Sequence, residues 1–366
     1  MSWKNIRIKL INAFIFCFSR CAGNLKNPKT FDKRRNFERI VIFSTKRLGD
    51  FMFTTAAIRA VRLRYPSARI VLVTSRQNAA LVTPGENFDC VLPMDNTFGD
   101  MRKLIPALRA EKPQLAVTLH SRAPYDVIAS VICGCEYLFK DYYRNEPAGL
   151  DKWLAGVTRG QKQHIIQRKL DLVSLLGCDP NQTEMFIPGN IPQFEKVPNK
   201  KLIGFQMGAS KLTHRWPQEH FVRLAQRLIN TYPDCLLILI GSPGELEIAQ
   251  GFMSKMNVEE RLNITDYVGK TTMPELLSII NALDILVTND TGPLHLAIAA
   301  KTKTVSLFVL NPPNENGPYQ NLNLHKVIYR PPVEDEVLVD TLKHPMDRIQ
   351  VEEVFDAVVE KCFSKV

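Results

Sequence analysis

The chain has 366 residues, 45% hydrophobic and 23% charged, an ordinary globular composition that excludes a wholly disordered chain and suggests at least two domains. No apolar stretch reaches the roughly 18 residues needed to cross a bilayer, which excludes a polytopic membrane protein. The net charge is +10, but the first forty residues carry ten Lys/Arg against Asp32 and Glu38; the other 326 residues amount to +2, so no nucleic-acid partner is expected.

Eight cysteines are scattered without a Cys-x-x-Cys pair, and only Cys133 and Cys135 lie close together, with no third ligand beside them. Free thiols in a reducing cytosol are expected. In chain order, residues 1–18 open with Lys4, Arg7 and Lys9 and continue as an apolar run broken by Asn12. The run is short for a secretory leader, and no small-residue cleavage site follows. Wound as a helix, it aligns Trp3, Ile6, Leu10, Phe14 and Cys17/Phe18 on one face, with cations near its start. That suits a helix lying on anionic lipid, and equally a helix packed on its own domain or a loose extension. On the lipid reading, a chain lacking residues 1–36 should still fold.

Residues 38–44, E-R-I-V-I-F-S, read as a buried parallel strand. A turn over 45–50 and a helix over 51–65 follow. Strand 69–74, short helix 77–82, strand 90–93, helix 101–110 and strand 115–119 continue the alternation, which ends in His120-Ser121-Arg122. Residues 141–200 lose it: only 164–176 reads as a helix, and the Pro-rich, polar 181–200 reads as a linker. Strand–helix order then resumes with strands over 201–206, 235–241, 284–288 and 304–309. The helices there are 217–230, 244–256, 274–282, 292–300 and a last one over 351–363. The fold class is α/β: two Rossmann-like, doubly wound domains, with ligands beyond the strand C-terminal ends and a cleft between the halves.

Four strand-to-loop junctions carry candidate chemistry. At Lys46-Arg47-Leu48-Gly49-Asp50 the carboxylate of Asp50 is placed as a general base, or as a plain helix N-terminal acid. Gln206-Met207-Gly208-Ala209-Ser210, followed by Lys211, His214 and Arg215, suits a phosphate. It is not a Walker loop, because the required Gly-Lys-Ser/Thr spacing is absent. Glu245, after Gly241-Ser242-Pro243-Gly244, stands where a carboxylate takes ribose hydroxyls, or caps its own helix. At Asn289-Asp290-Thr291-Gly292-Pro293-Leu294-His295 the helix start could hold an anion, with His295 either in the site or packed beneath it. No Asp-x-Asp pair or His-x-x-x-His pair occurs, so no metal and no other cofactor are expected.

At these junctions the sequence resembles glycosyltransferase family 9, the ADP-heptose:lipopolysaccharide heptosyltransferases. The resemblance rests on Arg47-Leu48-Gly49-Asp50 with Thr54-Thr55-Ala56-Ala57-Ile58, and on Gly208-Ala209-Ser210 leading to Arg215-Trp216-Pro217. Gly241–Glu245, Val268-Gly269-Lys270-Thr271 and Asn289–Ala297 complete it, in matching order over roughly residues 38–362. It implies a GT-B fold and inverting, metal-independent transfer of heptose from ADP-heptose to an inner-core lipopolysaccharide or lipooligosaccharide acceptor. The base maps onto Asp50, the phosphate loop onto Ala209, Ser210, His214 and Arg215, and the ribose carboxylate onto Glu245. The adenine loop maps onto Gly269 and Thr271, and the sugar and phosphate motif onto Asp290, Thr291, Gly292 and His295.

For the acceptor, the candidates are Lys46, Arg47, Gly49, Arg76, His120 and Arg122. Two features depart from the family: His214 stands where it commonly has Lys-Arg or Lys-His before Trp-Pro, and Phe308-Val309-Leu310-Asn311 replaces its Phe-Gly-Pro-Thr turn. These leave open a transferase using another nucleotide sugar, such as a UDP-hexose, or a silent GT-B binder. The expected organisation is a basic extension (1–37), an acceptor domain (38–190), a nucleotide-sugar domain (191–345) and a C-terminal helix (346–366) open to packing back on the N-terminal domain. Its partners would be the donor and a lipid A-core acceptor at the inner leaflet of the cytoplasmic membrane, where a cytoplasmic, peripheral enzyme would meet it.

Overall fold

The computed structural model describes residues 3–142, 149–160, 162–331 and 345–364, with side chains from Ile6 onward; those of Trp3 and Lys4 lie outside the described residues. The chain divides into two compact units, Met1–Asn190 and Ile191–Val366.

The first unit begins with α1 (Trp3–Cys21). Its sheet has six parallel strands: β1 (Arg39–Ser44), β2 (Arg69–Thr74), β3 (Cys90–Pro93), β4 (Leu115–His120), β5 (Tyr137–Tyr142) and β6 (Gly156–Arg159). The order is β3-β2-β1-β4-β5-β6. Between them run α2 (Leu48–Met52), α3 (Thr55–Arg64), α4 (Arg76–Ala79), α5 (Phe98–Ala110) and α6 (Tyr125–Ile132), and α7 (Ile165–Ser174) follows β6. The β-branched runs R-I-V-I-F-S and R-I-V-L-V-T are buried on both faces, as parallel strands covered by helices must be. On one face Val41, Phe43, Val71 and Leu138 pack against Met101, Leu104 and Leu108 of α5 and Val127 and Val131 of α6.

The second unit repeats the plan. Its strands are β7 (Lys201–Gln206), β8 (Cys235–Ile240), β9 (Ile264–Asp266), β10 (Ile285–Asn289), β11 (Thr304–Phe308) and β12 (His325–Tyr329). Their order is β12-β11-β10-β7-β8-β9, all parallel. The helices are α8 (Gln218–Thr231), α9 (Leu246–Ser254), α10 (Val258–Arg261), α11 (Met273–Ala282), α12 (Gly292–Ala299), α13 (Pro313–Asn316) and α14 (Val351–Val358). Each unit therefore has Rossmann strand order, with one point where the winding reverses: between β1 and β4, and between β7 and β10.

Several expectations change. Residues 141–200 do not lie outside the sheet, for β5 and β6 extend it. All six β5 residues are buried, Lys140 and Asp141 included, and those charges hid the strand in the sequence. The helix foreseen over 51–65 is two helices, α2 and α3. The last helix packs within the second unit. Val354 and Val358 of α14 are fully buried there, Tyr232 stacks on Phe363 at 3.8 Å, and Trp216 donates from Nε1 to the Ile349 carbonyl at 3.0 Å.

The N-terminal segment is part of the first unit. Ile11 and Ile15 of α1 are buried in its core. Asn12 donates to the Gly149 carbonyl (2.8 Å) and accepts from Trp153 Nε1 (2.7 Å). Gly149 has φ +143°, and a Cβ there would come within 2.8 Å of Ile8. Farther on, Phe31 and Phe37 pack on Tyr137, the first residue of β5. Burying an Ile stabilises by about 1.5–3 kcal/mol. The expectation that residues 1–36 can be removed without harm is thereby corrected: the cut would open the core along α6 and β5.

Candidate active site

In the first unit the site is the end of β1 and the turn after it. The apolar strand stops at Thr45, Lys46 and Arg47 project, and Asp50 lies in the first turn of α2 with about a quarter of its side chain exposed. Across the reversal point, His120 closes β4 beside Ser44. Its Nδ1 lies 3.2 Å from the Asp50 carbonyl; a carbonyl only accepts, so Nδ1 carries the proton and donates. Its Nε2 lies 3.7 Å from Asp50 Oδ1, too long for a hydrogen bond. Burial, followed by the nearby charge of Lys169, holds the His120 pKa well below its ordinary 6.5. Asp50 thus faces a neutral ring, not an imidazolium that would quench it as a base.

Beneath them is a charged layer. Asp141, at the end of β5, accepts from Thr158 Oγ1 at 2.8 Å and pairs with Arg168 Nε at 3.0 Å and with Lys169 Nζ, both from α7. Burial lowers the Lys169 pKa to about 8 against the pull of Asp141, and Asp50 adds a smaller pull in the same direction as Asp141. The rim is tied together from three strands. Thr45 Oγ1 lies 2.8 Å from Ser121 Oγ and 2.9 Å from Asn96 Oδ1, and Asn96 donates back to the Thr45 carbonyl. A second buried pair, Lys140 with Asp126 at 2.6 Å, also reaches the Ser121 carbonyl at 3.1 Å.

Two acceptor candidates change standing. His120 is only 1% exposed and lies behind Asp50, where little of its ring is open to a ligand. Arg76 is held by Asp95 and Asp100. Lys46, Arg47, Gly49 and Arg122 remain on the rim, Arg47 and Arg122 being exposed.

In the second unit the loops after β7 and β10 meet. Gln206, the last residue of β7 and 2% exposed, organises them. It accepts from Thr291 Oγ1 (2.9 Å) and Thr288 Oγ1 (3.1 Å) and donates to Glu245 Oε1 (3.3 Å). Asn289 donates to the Met207 and Gly208 carbonyls (both 3.1 Å) and accepts from the Trp216 N–H (3.0 Å), pinning the small-residue loop at both ends. Arg215 closes the loop on the Ala209 carbonyl at 3.1 Å. Among the described residues, no protein acceptor meets the N–H groups of Ala209, Ser210 and Gly292. Such groups, at a loop and a helix start, form a cradle for an anion.

Of the two roles foreseen for Glu245, the helix cap is the one seen. Oε2 accepts from the Ser242 N–H at 2.6 Å as a helix cap, and the carboxylate lies over Gly208, where a Cβ would fall 1.4 Å from Oε1. A side chain at position 208 would push the carboxylate aside. Gly269, at φ +70°, borders the same Ser242–Glu245 turn, with its N–H on the Gly241 carbonyl at 2.9 Å, and Thr271 follows two residues on. Asp290 accepts from Asn311 (2.8 Å) and Asn316 (3.0 Å); burial raises its pKa and these amides oppose that. His295 Nε2 lies 3.9 Å from Asp290, and the ring is buried. Burial also lowers the His214 pKa, so it is not a permanent cation at neutral pH. Gln206, Asn289 and Asn311 stood in the quoted motifs without a role of their own, and Asn316 was not singled out from sequence. The available signal was a lone amide ending an apolar strand, at 206 and again at 289.

Residues 152–337 match glycosyltransferase family 9 (heptosyltransferase). The chain is 25% identical over 298 residues to lipopolysaccharide heptosyltransferase 2 of Escherichia coli K12, covering 76% of this chain and 85% of that protein. In structure it resembles a family 9 glycosyl transferase from Veillonella parvula, with TM-score 0.75 and 19% identity over 90% of this chain and 98% of that one. It also resembles the E. coli ADP-heptose lipopolysaccharide heptosyltransferase II, with TM-score 0.71 and 20% identity over 88% and 98%.

Proposed function

The chain belongs to glycosyltransferase family 9, and on that premise we propose that it transfers heptose from ADP-heptose to an inner-core lipopolysaccharide acceptor, with inversion and without a metal ion. The observation that carries the reading is a pair of sites, one at each winding reversal. The first offers a carboxylate backed by a neutral imidazole; the second offers hydroxyls and N–H groups at two adjoining loops. Asp50 takes the proton of the acceptor hydroxyl as that oxygen attacks the anomeric carbon, and the bond to the diphosphate oxygen breaks. The leaving ADP carries its charge to Ser210, Thr291, Gly292 and Arg215, while Glu245 takes the ribose. An ADP-heptose donor is supported by the likeness to the E. coli ADP-heptose lipopolysaccharide heptosyltransferase II.

The test is turnover by purified protein supplied with ADP-heptose and a delipidated core acceptor, with the anomeric configuration of the product read by NMR. Retention of configuration would overturn the mechanism. Activity is expected to survive EDTA, because the diphosphate meets helix starts and Arg215 rather than a metal. Among the described residues no group of three His, Cys, Asp or Glu is arranged to hold one. Abolition by EDTA and rescue by Mg²⁺ would contradict this part.

His214 favours a second reading, a binder with weak grip on diphosphate or a preference for another nucleotide, because a neutral ring gives less to an anion than a cation does. His214→Lys is therefore expected to tighten ADP binding severalfold, by an increment that shrinks with salt. Calorimetry of both forms with ADP and UDP checks this, and tighter UDP binding by the natural chain would overturn the heptose donor. The acceptor is proposed to be met at the cytoplasmic face of the inner membrane. Among the described residues no helix is long and apolar enough to cross it.

A further inference from the structure

Helix α1 has two apolar faces and only one is covered. Ile11 and Ile15 point into the first unit, whereas Ile6, Leu10, Phe14 and Phe16 are exposed, Leu10 by 66%. On a 100° wheel, Ile6, Leu10, Phe14, Cys17 and Cys21 form one outward stripe. Exposed Lys9 and Arg20 flank it on one side and Arg7 on the other, with the Arg20 guanidinium 4.5 Å from the Phe16 ring. The helix also has a fixed direction. Arg7 lies over Tyr125, the first residue of α6, at 5.9 Å, and Asn24 reaches the Gly134 carbonyl just beyond the end of α6. Thus α1 runs parallel to α6, and its basic end lies at the strand C-terminal end of the unit, beside the loop of Ser121 and Arg122.

We infer that the outward stripe of α1 docks the first unit on an anionic lipid surface, with the basic end of the helix setting the Ser121–Arg122 loop beside the lipid headgroups. A helix with an apolar stripe between cations lies in the plane of such a surface, its long basic side chains reaching the headgroups while the stripe enters the acyl boundary. Charge selects this occupant over a second copy of the chain. The cations flanking the stripe, Arg7, Lys9 and Arg20, have no acid beside them on α1, and a twofold contact would set them against themselves. The inference deepens the proposed function, on which it rests for the lipid-linked acceptor, by naming the surface and the edge of the site it presents.

The test uses the full chain and the double substitution Leu10→Glu/Phe14→Glu, at two exposed positions outside the catalytic machinery. Co-sedimentation with phosphatidylglycerol/phosphatidylethanolamine vesicles is expected for the natural chain, weaker on phosphatidylcholine and weaker with salt. The variant should lose at least about tenfold in vesicle partitioning while its Tm and its turnover of a delipidated acceptor stay unchanged. Equal partitioning of the two forms, or no binding by the natural chain, would overturn the inference. So would a dimer in light scattering that the substitution dissolves without any lipid binding. Failure of the proposed function looks different: the natural chain would not turn over the delipidated acceptor, whatever the vesicles show.

Discussion

Asp50→Ala is expected to lower kcat about 10²–10⁴-fold, the usual contribution of a positioned general base, while ADP affinity stays at its natural value. Three observations set that expectation. Asp50 is partly exposed at the end of β1, where a hydroxyl can approach it. Behind it, His120 donates from Nδ1 to the Asp50 carbonyl and stays uncharged, so the ring itself does not quench the carboxylate. The rim groups that remain, Lys46, Arg47 and Arg122, are cations and cannot take the proton in place of Asp50. The diphosphate loops belong to the other unit, so donor binding should be indifferent to the change. Asp50→Asn keeps the shape of the turn and should lose a similar factor, separating the proton from packing. Steady-state kinetics with ADP calorimetry on both variants decides it: near-natural turnover in either removes Asp50 as the base.

The largest effect on stability is expected at Lys140. Its ammonium and the Asp126 carboxylate are both fully buried, 2.6 Å apart. Removing one member of such a pair strands the other charge, at a cost of about 3–5 kcal/mol. In Lys140→Met, Asp126 would keep, among the described residues, only the N–H of Val127, at 2.9 Å. For a unit of this size the loss corresponds to a fall in Tm of roughly 2–4 °C per kcal/mol. Lys140→Met/Asp126→Leu should recover most of it, since replacing both members with apolar groups is often neutral. Thermal unfolding of the two variants tests the account: a single variant as stable as the natural chain would mean the pair is not a constraint. Because Lys140 also holds the Ser121 carbonyl, the single variant should loosen the rim beside Asp50 as well.

The strands and loops that bear the candidate chemistry were readable because apolar runs there break abruptly into Gly, Pro and charge. Strand β1 ends at Thr45-Lys46-Arg47 and β10 at Asn289-Asp290 in this way. What escaped reading depends on partners far along the chain. Lys140 and Asp141 look like surface charges until they are set against partners 14 residues earlier, for Lys140, and 27 and 28 residues later, for Asp141. Gln206 looks like the polar end of a strand, yet its three contacts come from 39, 82 and 85 residues away. The N-terminal helix is apolar around most of its circumference, so local pattern offers two stripes with no means of choosing between them. Trp153 and Gly149 make the choice by capturing Asn12. His120 misled for the same reason, since a His at a strand end looks exposed until the charged layer beneath is in place.

The clasp between Asn12 and Trp153 has a consequence for how the chain is born. The two residues are 141 positions apart. At about 5–20 residues per second of synthesis, α1 leaves the ribosome some 7–28 seconds before the indole that holds it exists. Throughout that interval both of its apolar stripes face water or whatever is nearest, so a nascent chain is stickier than the finished protein. Chaperone or bilayer contact during translation could cover either stripe, and the inner one must be released before residues 149–153 close over it. The order of events on the ribosome, not only the final contacts, thus decides whether Ile11 and Ile15 reach the core.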